Sequence, residues 1–406
     1  MNEATVVDAR LDKLEIINSH RFRFGCASVG LVAFLLAAAG PVMAQQGARA
    51  RDLGVPFDGS PGPLNAITDV SGVRVAHTTL IRGEGELRVG EGPVRTGVTV
   101  IFPRWDDPSD PVFSGWFALN GNGEMTGTTW IEESGFLEGP IAITNTHSVG
   151  VVRDTIIGWQ AERRSSFQPW SLPVVAETYD GSLNDINGFH VTPEHVFEAI
   201  DSANSGALEM GSVGGGTGMI CYEFKGGTGT ASRTVELAGS AYTVGALVQA
   251  NHGIRDWLQI CGAPVGKHLT DNLLWPREQG SIIAVIGTDV PLLPIQLQRL
   301  AKRISIGVGR AGTPSGNNSG DLFLAFSTAN PNPESSGGTR ALRQFDFVPH
   351  EVLDPVFNAV VESVDEAVIN ALVAAEDMTG RDGHFVASIE HVALKDLMVR
   401  YGRTEA

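Results

Sequence analysis

Two serines in this 406-residue chain stand where a hydroxyl could act as a nucleophile. Ser281 follows Gly280 and opens the apolar run Ile282, Ile283, Ala284, Val285, Ile286. Such a pair can mark nothing more than the end of a loop and the start of a buried strand. It also meets the needs of a peptide that cuts itself. A small preceding residue lets the hydroxyl reach the Gly280 carbonyl, and a rigid strand behind holds the bond in a strained turn. Scission at Gly280-Ser281 would place a free α-amine on the residue that carries the hydroxyl. With an ordinary pKa of roughly 7.7 to 8.0, a useful fraction of that amine is neutral near pH 7, so Ser281 would carry its own base. The stretch from Gly316 to Thr328 repeats the pattern, with Ser319 in a polar turn, Asp321 two residues later and an apolar run from Leu322. On an extended segment residues i and i+2 share a face, so this hydroxyl and carboxylate could act side by side. Spacing leaves both serines open as the nucleophile.

Strands and helices must hold these groups. Strand-length runs rich in Val, Ile and Thr, bounded by turn residues, recur at 72–80, 96–103, 140–146, 243–251, 281–288 and 321–328. Residues 191–206 read as a helix with Thr192 as N-cap, Pro193 at the first helical position and Gly206 near the end. Two longer helices are predicted from apolar stripes. One uses Ile295, Leu297, Leu300, Ala301 and Ile304, and the other Val356, Val360, Val364, Val368 and Leu372. Strands with grouped helices and no strict βαβ alternation predict an α+β fold, with helices packed outside two sheets. Periodicity does not supply the strand order.

Glycine is enriched, at 49 residues, and clusters at 120–127, 211–218 and 225–233. None of these clusters has the strand, loop and Gly-Lys-Ser/Thr sequence of a phosphate site. Tight turns and close approach of backbone to a substrate are the expected uses.

The acidic balance, 46 Asp and Glu against 29 Lys and Arg, with no basic run interleaved with aromatics, argues against nucleic acid as a partner. Arg21 and Arg23 precede the apolar stretch 26–40, and small residues end at Ala44. That is the form of a secretory signal peptide over residues 1–44, too short an apolar run for a comfortable membrane span. Its removal predicts a secreted, periplasmic protein with no membrane attachment. Residues 45–406 show no linker, charge block or repeat and read as a single catalytic domain. Cys221 and Cys261 are expected to be buried free thiols, and the singly scattered His147, His190, His195, His252 and His268 suggest no metal site.

Seven ordered blocks carry a resemblance. They are NGNGEMTG (120–127), TNTHSVG (144–150), AETYDG (176–181), GSVGGGTGMICYEFKGGTGTASR (211–233), VQANHG (248–253), GSIIAVIGTDVPLLP (280–294) and NSGDLFLAFST (318–328). The chain resembles the self-processing L-aminopeptidase/D-esterase family, which includes the β-aminopeptidases. The resemblance implies a four-layer αββα sandwich like that of the N-terminal-nucleophile hydrolases. It also implies a precursor cut at Gly280-Ser281 into an α chain, 45–280, and a β chain, 281–406.

Carried over residue by residue, the nucleophile falls on Ser281, with Ser319 and Asp321 as a second serine and its acidic companion. Where the family often has Glu, the shorter Asp321 stands. Asn251 matches the oxyanion-stabilising Asn, Tyr179 the active-site Tyr, and Glu177 the carboxylate that holds a substrate's free amine. The implied activity is release of N-terminal residues from short peptides, amides or esters through an acyl-enzyme on Ser281, without cofactor or metal. Homo-oligomerisation, with a tetramer as the form in view, is implied in the same way. Two alternatives stand beside this reading: acyl transfer like that of the ornithine acetyltransferases, whose nucleophile is a Thr, and an inactive periplasmic binding protein of the same fold.

Overall fold

The computed structural model describes residues 47–163, 168–331 and 344–404, so the leader reading of residues 1–44 lies outside the described residues. In chain order the first strands are β1 (Arg74–Arg82), β2 (Val94–Phe102), β3 (Val112–Ala118), β4 (Phe136–Leu137), β5 (Ile141–Asn145) and β6 (Val174–Thr178). The short strands β7 (Ile220–Cys221) and β8 (Phe224–Lys225) follow, then β9 (Gly227–Leu237), β10 (Ser240–Asn251), β11 (Ser281–Thr288) and β12 (Leu322–Ser327). A small pair, β13 (Met378–Thr379) and β14 (Phe385–Val386), comes last. The helices are α1 (Thr128–Ser134), α2 (Val149–Arg163), α3 (Pro193–Asp201), α4 (Pro294–Arg310), α5 (Asp354–Val373) and α6 (His391–Arg400).

Two sheets result. One has the order β1-β2-β5-β6 and the other β4-β3-β12-β11-β10-β9. Each strand of the second sheet sends alternate side chains to opposite faces, and both faces are covered. Ile283, Val285, Leu322, Leu324 and Phe326 face the first sheet, where they meet Ile101, Ile141, Ile143 and Ala176. Ile282, Ala284, Ile286, Phe323 and Ala325 face outward onto Leu297, Leu300 and Ile304 of α4 and Val360, Val364 and Val368 of α5. On the far side, Val98, Val100 and Val175 of the first sheet are covered by Val152, Ile156 and Trp159 of α2 and Val196 and Ile200 of α3. Helix, sheet, sheet, helix is the four-layer αββα sandwich.

Several expectations need correction. Ile295 does not belong to the α4 stripe, because it sits in the first turn on the solvent side and is exposed. Helix α3 ends at Asp201, short of Gly206, and at its start the Thr192 N–H donates to His195 Nδ1 at 3.1 Å. Glycines 226, 227 and 229 lie in or beside β9 rather than in a substrate loop. A Cβ on Gly229 would fall 2.0 Å from the Ala367 carbonyl oxygen, so this glycine lets α5 lie directly on the sheet. Cys261 is only partly buried, while Cys221 is fully so, and both are free thiols. No helix among the described residues is long and apolar enough to cross a membrane.

One pairing in the second sheet matters for chemistry. β11 and β12 run parallel, with Ile283 beside Leu322, so their N-terminal ends reach the same edge of the sheet. β10 runs antiparallel to β11 and ends there too, with Asn251 opposite Ser281.

Candidate active site

At that edge Ser281 is the first residue of β11 and is 5% exposed. Its hydroxyl makes no hydrogen bond to any described residue. Gly280 has φ +128°, a conformation that L side chains rarely adopt, and a Cβ there would lie 1.8 Å from the Asn251 carbonyl oxygen. Glycine before Ser281 is therefore a requirement of the backbone path as well as of nucleophile access.

Directly opposed residues of an antiparallel pair point to the same face, so Asn251 and Ser281 share the face turned toward the first sheet. The Asn251 amide is oriented from two sides. The Ile220 N–H donates to its Oδ1 at 2.8 Å, and its Nδ2 donates to the Tyr179 carbonyl at 3.0 Å. The second N–H of Nδ2 remains for another acceptor.

The neighbouring strand brings the second serine. Ser319 and Asp321 are both about fully buried, at 1% exposure each. Ser319 Oγ donates to Asp321 Oδ1 at 2.5 Å, and the Ile282 N–H donates to the same oxygen at 3.2 Å. Asp321 thus touches the residue that follows Ser281, a proximity created by the parallel register. Asp321 Oδ2 accepts from the Ser315 hydroxyl and from Asn120 Nδ2, the latter at 3.5 Å. The shorter Asp side chain still reaches its serine because both sit in the turn ahead of β12.

Glu177 lies near the end of β6, buried at 3% exposure. Its Oε1 accepts the Glu124 N–H at 2.9 Å, and its Oε2 accepts the Thr146 hydroxyl. Burial pushes this carboxyl above its ordinary range, an effect opposed by those hydrogen bonds. The glycine loop 120–127 links it to the second serine: a Cβ on Gly123 would fall 3.2 Å from both Glu177 Oε1 and Gly320 Cα. Tyr179, expected as the active-site Tyr, follows the end of β6 directly. Its carbonyl, not its ring, holds Asn251, while the half-exposed side chain folds over Gly181. That ring lines a cavity of about 470 Å³ with Ile220, Trp275, Gln279, Arg381 and Phe385.

Sequence reasoning missed Asn120, Thr146, Ser315, Glu278, Asp180 and His252. The first two lie in quoted glycine- and threonine-rich blocks, but their roles depend on contacts across the chain. Asp180 is fully buried beside Tyr179, accepts from Asn184 Nδ2 at 3.0 Å, and is pushed up to about 7 by burial. His252 places Nδ1 3.7 Å from Cys221 Sγ, which has the look of a nucleophilic pair. Burial decides against that role, since it raises the thiol to about 12 and lowers the imidazole to about 4. Among the described residues no group of three or more His, Cys, Asp or Glu could hold a metal ion.

The peptidase family S58 profile matches residues 65–386. The chain is 52% identical over 377 residues to β-peptidyl aminopeptidase BapA of Sphingosinicella microcystinivorans, a match covering 89% of this chain and 94% of that protein. It is 44% identical over 393 residues to β-peptidyl aminopeptidase BapA of Sphingosinicella xenopeptidilytica, covering 93% and 97%. Among solved structures, the L-aminopeptidase D-Ala-esterase/amidase of Ochrobactrum anthropi, a variant of the Ntn hydrolase fold, superposes with a TM-score of 0.83 at 51% identity. That match covers 88% of this chain and 99% of the other. A Burkholderia sp. β-aminopeptidase superposes with a TM-score of 0.81 at 46% identity, covering 87% and 99%.

Proposed function

The chain belongs to peptidase family S58 and is an aminopeptidase-type hydrolase of the Ntn fold, and from that premise we propose that Ser281, freed by cleavage of its own Gly280 bond, is the nucleophile. The observation that carries this reading is the meeting of Gly280, Ser281, Asn251 and Asp321 at one sheet edge, although they are scattered over 71 residues of sequence between Asn251 and Asp321.

In the proposed self-cleavage, Ser281 Oγ adds to the Gly280 carbonyl carbon and the C–N bond to Ser281 breaks. An ester forms at the hydroxyl and a free amine remains on the same residue. Water then hydrolyses the ester, leaving Gly280 as a carboxylate and Ser281 as a new N-terminus. In turnover, the same oxygen attacks the carbonyl of a substrate's N-terminal residue as its proton passes to the neutral Ser281 amine or, through Ser319, to Asp321. Asn251 Nδ2 donates to the developing oxyanion, a contribution of about 3 kcal/mol where it is measured by removal. The leaving amine takes a proton supplied by the Ser281 amine or by Ser319 backed by Asp321, and water resolves the acyl-enzyme. Glu177 holds the substrate's ammonium, and the cavity beside Tyr179 receives part of the substrate. The Glu177 oxygens each have a second lone pair available beyond the Glu124 and Thr146 bonds.

The substrates of this reading are short peptides, amides or esters with a free amino terminus. Both the β-peptidyl and the L-/D-Ala activities that the relatives' names state are compatible with it, at nearly equal identity. Export behind the leader to the periplasm and assembly into a homo-oligomer complete the proposal. The test is intact mass spectrometry of the purified protein beside Ser281→Ala, with a panel of aminoacyl p-nitroanilides. The wild type is expected as two fragments meeting at Gly280-Ser281, and the variant as one inactive chain. A single intact chain with full activity overturns the reading, and an intact inactive wild type favours a binding protein.

A further inference from the structure

Glu278, two residues ahead of the proposed scissile bond, is held in a way that the chemistry so far leaves unused. Its carboxylate is buried although both neighbours in the chain, Arg277 and Gln279, are exposed. Oε1 accepts the Gly253 N–H at 2.9 Å and the Thr313 hydroxyl at 3.3 Å. Oε2 is buried and pressed against Gly316, where a Cβ would fall 1.7 Å away.

The same loop grips the other side of the bond. The Ser315 N–H donates to Thr313 Oγ1 at 3.0 Å, the Ser315 hydroxyl donates to Asp321, and Asp321 accepts the Ile282 N–H at 3.2 Å. Glu278 and Ile282, four residues apart, are therefore tied to one stretch, Thr313 to Asp321. Between them lies Gly280 with its φ of +128°, facing Asn251. Gly253, the other anchor of Glu278, follows Asn251 by two residues, so the tie also fixes the upstream segment against the end of β10.

Resting on the self-cleavage reading above, we infer that Glu278 is a positioning residue for that cleavage: its carboxylate clamps the upstream arm so that the Gly280 carbonyl is presented to Ser281. The role is that of a hydrogen-bond acceptor at a set reach. It is not a proton donor or acceptor in the reaction. Once the bond is cut, Glu278 is on the α chain and Thr313 on the β chain, so the same bonds hold the new C-terminal arm to its partner.

Reach and charge can be separated by substitution in the full chain. Glu278→Gln keeps an oxygen at the same distance for Gly253 N–H and Thr313 Oγ1 but removes the acid. Glu278→Asp keeps the acid and withdraws it by one methylene. The fraction of chain cut at Ser281 is followed over time by intact mass after synthesis at low temperature, with melting temperatures of both variants in a Ser281→Ala background to register the fold. Clamping predicts Gln within a few-fold of wild type and Asp slowed by roughly a hundredfold, the scale of a misplacement near 1 Å. Glu278→Asp cutting at the wild-type rate overturns the inference, as does Gln slowed as much as Asp, which would make the carboxyl a reacting group. A slow Asp variant whose melting temperature has dropped, with Gln unchanged in both, still supports the clamp because the lost bonds are the same. Failure of the self-cleavage reading is distinct: there the wild type itself yields no chain beginning at Ser281.

Discussion

Replacing Gly280 with alanine tests the backbone path that the proposed cleavage requires. The added Cβ would sit 1.8 Å from the Asn251 carbonyl oxygen and 3.2 Å from Asn251 Nδ2. Ordinary carbon contacts begin near 3.5 Å, so the strand ends must part by about 1.7 Å. Holding a non-glycine residue at this φ adds on the order of 1–3 kcal/mol. Neither cost is spread over the fold, because the clash falls on the terminal Asn251–Ser281 pair and can be relieved by unpairing it. Stability should therefore drop modestly while geometry at the bond is lost, and a displacement above 1 Å corresponds to a rate loss of roughly a hundredfold or more. Gly280→Ala is expected to persist as one chain on a denaturing gel under conditions that fully process the wild type, with aminopeptidase activity reduced in proportion to the uncut fraction. Gln279→Ala, at an exposed neighbour, should process normally. Processing of Gly280→Ala at the wild-type rate, with a chain beginning at Ser281, would refute the reasoning.

Glu177→Gln removes the proposed ammonium site while keeping one oxygen to accept the Glu124 N–H and an amide NH2 that can donate to the Thr146 hydroxyl. Loss of a charged hydrogen bond of about 1.5–3 kcal/mol predicts a rise of roughly ten- to hundredfold in KM for substrates with a free amine, and steady-state kinetics showing an unchanged KM would remove Glu177 from that role. Asp180→Asn bears on pH. Burial raises the Asp180 carboxyl to about 7, above its unfolded value of 3.8, so the folded chain binds the proton more tightly between those limits. The stabilisation is full below the unfolded pKa and is lost as pH rises through 7. In an uncleavable Ser281→Ala background, the stability of Asp180 relative to Asn should fall by about 3 kcal/mol between pH 5 and 8 in urea unfolding, and a difference independent of pH would contradict the buried-acid assignment.

What could be read from the chain follows from which signals are local. β11 was legible because a central strand buried on both faces is a continuous apolar run, and its observed bounds, Ser281–Thr288, coincide with the predicted 281–288. Ser319 and Asp321 were legible as a pair because the contact spans two residues. β9 was obscured by the glycines that let α5 approach, since a sequence with small residues at those points loses the strand signature. Ser315, Asn120 and Glu278 were hidden for a different reason. Their partners lie 6, 201 and 25 or 35 residues away, and only strand order brings them together. The contact between the Tyr179 carbonyl and Asn251 was hidden in the same way, because its partners lie 72 residues apart.

Strand order also bears on the ambiguity between the two serines. As sequence they are equivalent, each a hydroxyl ahead of an apolar strand. In the parallel β11–β12 pair they become neighbours at one edge, and their surroundings differ. Ser319 Oγ is committed as a donor to Asp321 at 2.5 Å, whereas the Ser281 hydroxyl, opposite Asn251, makes no hydrogen bond among the described residues. Ser281 is preceded by a glycine that no other residue could replace without displacing Asn251, while Ser319 is preceded by Asn318, an ordinary turn residue. A hydroxyl held by a carboxylate suits proton transfer, and an unheld one beside an amide donor suits attack. The division of labour proposed for the two serines therefore follows from the strand register, and a single-residue slip of β12 against β11 would move Asp321 off the Ile282 N–H and separate them.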